Sequence, residues 1–131
     1  MIVHLDTSVL VDALTGPRRS LDALTRMFDA GHRAVLSTLV MYEWLRGPRT
    51  KAELTAQDEL FPRETAVSFT VTEAAVAAKL YAAVSHPRGR ELDLAIAACA
   101  IANDGALWTL NPSDFRDIPG LRLASGSWLS G

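Results

Sequence analysis

At 131 residues the chain has the length of one ordinary domain, and a chain of this size can bury a single hydrophobic core. Hydrophobic residues make up 49% of it and charged residues 21%, a balance that excludes a disordered tail or a charged linker. The net charge of −2 excludes the strongly basic surface of a general nucleic-acid binder, so any contact with a polyanion has to be local.

Strand and helix patterns alternate along the whole chain. A short apolar strand opens it and meets Asp6, after which the apolar residues recur at helical spacing. Thr38 is placed to cap the third helix, and Thr50 with Glu53 fits a capping box at the start of the fourth. The predicted strands are residues 2–5, 34–37, 66–71, 106–110 and 121–124, and the predicted helices are residues 9–14, 21–30, 38–46, 50–61, 72–84 and 91–104.

This alternation predicts an α/β fold, a three-layer α/β/α sandwich with a central parallel sheet, formed by a single domain over residues 1–131. Ligands of such folds gather beyond the carboxyl ends of the strands. Asp6 follows the first predicted strand and Asn111 follows strand 106–110. We therefore expect both residues at the same edge of the sheet.

The sequence also bears on where the protein resides. Its longest apolar stretch, residues 94–102, has about nine residues, whereas a membrane-spanning helix needs about 20. The N-terminus has no basic leader before its apolar residues, unlike a secretory signal. The single cysteine, Cys99, can form neither an internal disulfide nor a zinc site with other cysteines. We expect a cytoplasmic protein without a membrane span.

Three acidic residues lie in or beside strongly apolar segments. Asp6 follows the first strand, Glu43 lies within the apolar helical stretch 39–45, and Asp93 interrupts the most hydrophobic helix. Each has an ordinary alternative: Asp6 as a helix N-cap, Glu43 as a solvent-facing residue, and Asp93 as a partner of the helix dipole. A set of independent caps has no reason to converge, so convergence in one pocket would favour a functional site.

A polar turn rich in oxygen ligands, residues 109–115, adds Asn111 and Asp114 to this set. Converging carboxylates raise one another's pKa unless a cation lies between them. All the candidate ligands are oxygens and the histidines show no ligand spacing, so Mg²⁺ or Mn²⁺ fits better than zinc. Such an ion can activate a water and neutralise charge on a phosphodiester, which makes hydrolysis of a nucleic-acid backbone the matching reaction.

Several arginines lie near predicted element ends, where a guanidinium group can fork onto a phosphate. The candidates for contact with a nucleic-acid backbone are Arg46, Arg88 and Arg90. The simpler interpretation of each is a solvated surface residue.

Four segments carry a resemblance to a known family: LDTSVLVDAL at residues 5–14, STLVMYEWLRG at 37–47, RGRELDLAIAACAIANDGALWTLNPSDF at 88–115, and DIPGLRL at 117–123. In this order and spacing they resemble the PIN domain, and within it the VapC-like toxins of bacterial toxin–antitoxin pairs. The resemblance covers nearly the whole chain. It implies Mg²⁺-dependent cleavage of RNA, inhibition by a cognate antitoxin, and a homodimer or a hetero-oligomer with that antitoxin.

Residue by residue, the resemblance implies that Asp6, Glu43 and Asp93 hold the metal. It places the fourth ligand position at Asn111, with Asp114 nearby. Many relatives have aspartate where this chain has Asn111. Because an amide binds a cation less strongly than a carboxylate, a second metal site would be weak or would rely on Asp114.

The residues around these acids are expected to orient them. Ser8 stands where an asparagine often follows the Asp-Thr pair. Either Ser8 or Thr7 is expected to hydrogen-bond to Asp6, and Thr109 is expected to act likewise near Asn111.

Other functional classes fit less well. A haloacid-dehalogenase-like phosphatase needs a second aspartate two residues after Asp6, where Ser8 stands. A receiver domain needs a late lysine, whereas Lys51 and Lys79 are the only lysines. The alternative that stays open is a catalytically silent PIN-like module whose acidic pocket docks a basic partner peptide.

Overall fold

A parallel three-stranded sheet forms the centre of the computed structural model, which describes residues 1–130. The first strand lies between the other two and pairs with each of them in parallel, so the order is β2-β1-β3. The strands predicted at residues 2–5, 34–37 and 106–110 are confirmed, the second shifted and the third shortened. Their observed bounds are β1 (Ile2–Leu5), β2 (Arg33–Val35) and β3 (Ala106–Trp108).

Helices cover both faces of this sheet, so the predicted three-layer α/β/α sandwich is confirmed. All six predicted helices form, with ends that differ from the prediction by up to two residues. Within residues 1–130, none of them is both long enough and apolar enough to cross a bilayer. Their bounds are α1 (Thr7–Leu14), α2 (Leu21–Asp29), α3 (Thr38–Arg46), α4 (Lys51–Leu60), α5 (Val71–Ala83) and α6 (Glu91–Ala102).

The helix α6 is anchored in the core along most of its length. Residues 96–100 are all buried, as its nearly continuous apolar sequence predicts. It packs against α5, α3 and β3. The first turn of α6, which carries Asp93, is therefore continuous with a well-packed part of the core.

The strand predicted at residues 66–71 does not form. This segment gives only an isolated bridge between Ser37 and Val67. The carboxylate of Glu73 accepts the backbone N–H of Thr70 at 2.9 Å, which starts α5 at the next residue. The helix takes only the last residue of the predicted strand. Over residues 66–70 only Val67 forms a bridge, and the N–H of Phe69 donates to the Thr38 hydroxyl at 3.2 Å instead of to a neighbouring strand.

The strand predicted at residues 121–124 is also wrong. Leu123 forms one isolated bridge with Leu107, through hydrogen bonds of 2.8 Å and 2.7 Å that flank it. The chain therefore touches the outer edge of β3 at a single residue. This contact covers part of an exposed sheet edge without extending the sheet.

The helix caps are only partly as predicted. The cap of α3 is Ser37 and not Thr38, because the Ser37 hydroxyl accepts the N–H of Val40 at 3.2 Å. The capping box of α4 is confirmed, with hydrogen bonds of 2.8 Å and 3.1 Å between Thr50 and Glu53. Both caps fix where their helices begin, and α3 carries Glu43.

The central strand contains a buried histidine. His4 is 2% exposed, and neither ring nitrogen has a hydrogen-bond partner within residues 1–130. Burial lowers the pKa of His4 to about 4, so the ring is neutral at physiological pH. A Cβ at Gly105 would lie 2.5 Å from Cδ2 of His4, so this close approach requires glycine. Sequence reasoning excluded His4 as a metal ligand but did not predict its burial.

Candidate active site

The predicted meeting of two strand ends is present. Leu5 at the end of β1 pairs with Trp108 at the end of β3, and the N–H of Asp6 donates to the Trp108 carbonyl at 2.9 Å. Because β1 and β3 are parallel, the segments that follow them leave the sheet at the same edge. Asp6 and the turn that contains Asn111 therefore start side by side, as predicted.

The carboxylate of Asp6 does not act as a helix cap. Asp6 stands at the N-cap position of α1, but its side chain makes no capping hydrogen bond. Its Oδ2 atom instead accepts hydrogen bonds from Ser8 Oγ at 2.9 Å and from Thr109 Oγ1 at 2.7 Å. Oδ1 has no hydrogen-bond partner within residues 1–130. The carboxylate is thus fixed through one oxygen while the other stays available.

The two hydroxyls that bind Asp6 are themselves oriented by the backbone. Ser8 Oγ accepts the N–H of Leu110 at 3.1 Å, and Thr109 Oγ1 accepts the N–H of Asn111 at 3.1 Å. Because each oxygen already accepts one hydrogen bond, its own hydrogen is directed at Asp6. This arrangement couples the start of α1 to the turn after β3.

Glu43 accepts a hydrogen bond from a residue of α1 and is largely shielded from solvent. Its side chain is 19% exposed, and Thr7 Oγ1 donates to its Oε1 at 2.5 Å. Arg46 lies one helical turn later, with Nη2 at 3.6 Å from Oε2 of Glu43. Of the two alternatives left open by the sequence, Ser8 binds Asp6, whereas Thr7 binds Glu43.

Asp93 carries the clearest electrostatic sign of a shared site. It lies partly buried in the first turn of α6. Burial, followed by the charges of Asp6, Asp114 and Glu43, raises the pKa of Asp93 to about 6, against a smaller lowering by Arg90. These surroundings therefore disfavour the ionised form of Asp93.

The turn after β3 brings Asp114 into this group. It forms a 3-10 turn, Pro112–Asp114, directly after Asn111. Asn111 and Asp114 are both exposed. The charge of Asp114 acts on Asp93, whereas the side chain of Asn111 makes no hydrogen bond within residues 1–130. Acids from the end of β1, from α3, from α6 and from this turn therefore converge.

The chemistry of this donor set fits a hard divalent cation. All the donors are oxygens, and the repulsion among the acids, which adds to burial in raising the pKa of Asp93, is the kind that a cation relieves. In residues 1–130, however, no three His, Cys, Asp or Glu side chains already surround one point as a ligand set. Glu43 directs its oxygens to Thr7 and Arg46 instead. A cation would have to draw the acids closer together.

The three candidate arginines differ in the exposure and the contacts of their guanidinium groups. Arg46 and Arg88 are exposed, and the guanidinium of Arg46 lies 5.2 Å from the centre of the Tyr42 ring. Arg90 is engaged by both carboxylate oxygens of Asp117, at 2.8 Å and 2.6 Å. To bind phosphate Arg90 would have to leave Asp117, and its expected role in contacting RNA stays a prediction.

Sequence reasoning did not find Asp117 or the Thr7–Glu43 hydrogen bond. Asp117 lies in an exposed polar segment, and its partner is 27 residues away. A side chain pairing at such a separation leaves no local periodic signal. The only available signal was the position of Arg90 at the start of a helix that carries an acid.

Comparison with known proteins identifies the family. The PIN domain profile matches residues 3–121. The chain is also 32% identical over 124 residues to ribonuclease VapC19 of Mycobacterium tuberculosis, which covers 90% of this chain and 95% of that relative. The chain therefore belongs to the PIN-domain family, and within it to the VapC group.

Solved structures agree with this fold. VapBC2 from Rickettsia felis, bound to a DNA fragment from its promoter, matches with a TM-score of 0.72 and 20% identity, over 95% of this chain and 98% of that one. DNA-bound VapBC from Salmonella typhimurium matches with a TM-score of 0.74 and 18% identity, over 95% and 97% of the two chains. The fold is shared although most side chains differ.

Proposed function

We propose that this protein is a divalent-metal-dependent endoribonuclease that hydrolyses RNA phosphodiester bonds. In this proposal it is a cytoplasmic toxin of a toxin–antitoxin pair, and its cognate antitoxin inhibits it. The observation that carries the proposal is that one edge of the sheet brings together Asp6, Asp93, Glu43 and Asp114, where burial and then the charges of the other three acids raise the pKa of Asp93 to about 6. A ribonuclease among its relatives and VapBC complexes among its structural neighbours support the same function.

The residues that would hold Mg²⁺, or Mn²⁺, share oxygen donors at this edge of the sheet. When bound, the ion supplies an activated water and neutralises charge that develops on the phosphodiester. Above about pH 6 Asp93 is ionised and can serve as a ligand. The proposed ligands are Asp6, Glu43, Asp93, Asn111 and Asp114.

The hydroxyl groups of this chain position the acids. Ser8 and Thr109 hold Asp6 through Oδ2, which leaves Oδ1 without a hydrogen bond within residues 1–130 and available to a ligand. Thr7 holds Oε1 of Glu43, whereas Oε2 lies 3.6 Å from Nη2 of Arg46. The exposed guanidinium groups of Arg46 and Arg88 would neutralise phosphates that flank the cleaved bond. Binding to RNA would thus depend on a few local charges, as the net charge of −2 requires.

The surface beside Glu43 suits a protein partner. Tyr42 is 57% exposed and Leu45 is 38% exposed, and the two residues lie three positions apart on α3, one on each side of Glu43 in sequence. Exposed apolar side chains around an acidic site favour a partner that covers them while placing a basic group near the acids. We assign this surface to the antitoxin, and we expect the protein to form a homodimer or a hetero-oligomer with that antitoxin.

A second candidate function is the catalytically silent module that docks a basic peptide. It is favoured by one observation: no three acids within residues 1–130 yet surround a common point. The two functions differ in whether RNA is cut.

The direct test is cleavage of single-stranded RNA by the purified protein with Mg²⁺, with EDTA, and with EDTA followed by excess Mg²⁺. We expect cleavage with Mg²⁺, its loss with EDTA, and its return when Mg²⁺ is restored. Cleavage that persists in EDTA would contradict metal dependence. No cleavage with either Mg²⁺ or Mn²⁺ would favour the silent module.

Thr109 allows a sharper test of how Asp6 is positioned. Replacing Thr109 by Val keeps the shape but removes the hydroxyl that donates to Asp6, whereas replacing it by Ser keeps the hydroxyl. We expect Thr109→Val to lower the cleavage rate by about tenfold or more, and Thr109→Ser to stay close to wild type. Equal rates for the two variants, measured under identical Mg²⁺ concentrations, would show that the hydroxyl has no such role.

A further inference from the structure

The guanidinium group of Arg90 joins the segments that carry Asp93 and Asp114. Arg90 stands at the N-cap position of α6, and its Nη1 and Nη2 atoms donate to Oδ2 and Oδ1 of Asp117 at 2.8 Å and 2.6 Å. Both oxygens of Asp117 are engaged, which is the geometry in which an arginine binds a carboxylate most strongly. A lysine could not reproduce this fork.

The same guanidinium also binds the backbone on both sides. Nη2 donates to the carbonyl of Asp114 at 3.0 Å, and Nη1 donates to the carbonyl of Ser85 at 3.3 Å. Ser85 lies just after α5, and Asp114 ends the 3-10 turn. Arg90 therefore joins the end of α5, the start of α6 and the segment after β3.

These joined segments would otherwise repel each other. Asp93 lies three residues after Arg90, and Asp114 lies three residues before Asp117. The negative charges of Asp93 and Asp114 repel each other across this junction. Because Asp114 is exposed and lies on a short turn, its distance from α6 depends on whatever fixes that turn.

We propose that the Arg90–Asp117 ion pair is a positioning device that holds Asp93 and Asp114 close enough to share one divalent cation. The inference rests on the proposed metal site and adds two residues that act through other residues and do not bind the ion. It assigns Arg90 to the architecture of the site and not to RNA.

The chain offers a matched control at the other end of the same helix. Arg122 forms an ion pair with Asp104, with Nη2 at 3.3 Å from Oδ1, and also donates to the Asp104 carbonyl. This pair also joins an end of α6 to a segment that follows β3. It carries no neighbouring acid of the site, so its loss should leave the site unchanged.

The test is Mn²⁺ and Mg²⁺ binding to the full-length protein, measured by isothermal titration calorimetry in the absence of RNA. We expect Asp117→Asn and Arg90→Gln each to weaken binding about tenfold. The double variant should be no weaker than the weaker single variant, because each change breaks the same ion pair. Asp104→Asn should bind as tightly as wild type. If Arg90→Gln fails to fold, Asp117→Asn carries the test.

The possible outcomes separate the inference from the proposed function. Wild-type affinity in Asp117→Asn would overturn the positioning role and leave the nuclease proposal intact, even if that variant unfolded more easily. Losses that multiply in the double variant would also overturn it, because the two residues would then act independently. If wild-type protein binds neither ion, the result contradicts both the proposed metal site and the positioning role of the ion pair.

Discussion

Replacing Asp93 by Asn should lower the single-turnover rate of RNA cleavage by about a thousandfold, equivalent to about 4 kcal/mol of transition-state stabilisation. The amide has nearly the same shape as the carboxyl group but brings no charge to a cation. The change also removes a charge that burial and the other acids disfavour, since they raise the pKa of Asp93 to about 6. Above pH 6 we therefore expect the unfolding temperature of the variant to be equal to or higher than that of wild type.

Asp29→Asn is the matched control for this loss. Asp29 is exposed at the end of α2 and makes no hydrogen bond or ion pair through its side chain within residues 1–130. It should cleave RNA at the wild-type rate. If Asp93→Asn retained more than about a tenth of the wild-type rate, the residue would not be a metal ligand, because losing a ligand costs far more. A variant that is inactive because it is unfolded would be recognised by its thermal transition.

Acidification should destabilise the protein through His4 by up to about 3 kcal/mol. The pKa of this side chain is lowered by burial from its ordinary value of 6.5 to about 4. Between these two pH values the unfolded chain binds a proton that the folded chain does not, so the free energy of unfolding decreases as the pH falls. Below about pH 4 both states are protonated and this contribution stays constant.

His4→Leu isolates the effect. Asp93 has the opposite sign, because its raised pKa makes the folded state bind the extra proton between about pH 4 and pH 6. The difference between wild type and His4→Leu removes that contribution. Urea unfolding without added metal should show wild type losing more stability than His4→Leu from pH 6.5 to pH 4. Parallel losses in the two proteins would mean that His4 is not held neutral in the folded state.

Much of the sheet edge could be predicted because it follows from the local sequence. The apolar run before Asp6 and the one before Thr109 each indicate a strand, and a parallel sheet brings the carboxyl ends of neighbouring strands together. The position of the site at this edge of the sheet could therefore be predicted from the order of the strands and helices alone. The capping box at Thr50 was equally visible, because its two partners are three residues apart.

Other features depend on contacts between distant segments and could not be predicted. Thr7 binds Glu43 across 36 residues, and Thr109 binds Asp6 across 103 residues. Nothing in their local sequence distinguishes these hydroxyls from ordinary helix or turn residues. The strand predicted at 66–71 does not form, because only Val67 makes a bridge there and the N–H of Phe69 donates to the Thr38 hydroxyl, 31 residues away.

The most direct measurement is the anomalous diffraction of crystals grown with Mn²⁺. We expect an anomalous peak at the edge of the sheet where β1 and β3 end, within coordination distance of Asp6 and Asp93. Glu43 or Asp114 should move toward the ion to complete its ligands. Crystals that bind Mn²⁺ only elsewhere, with these acids as far apart as before, would rule out a metal site shared by Asp6 and Asp93.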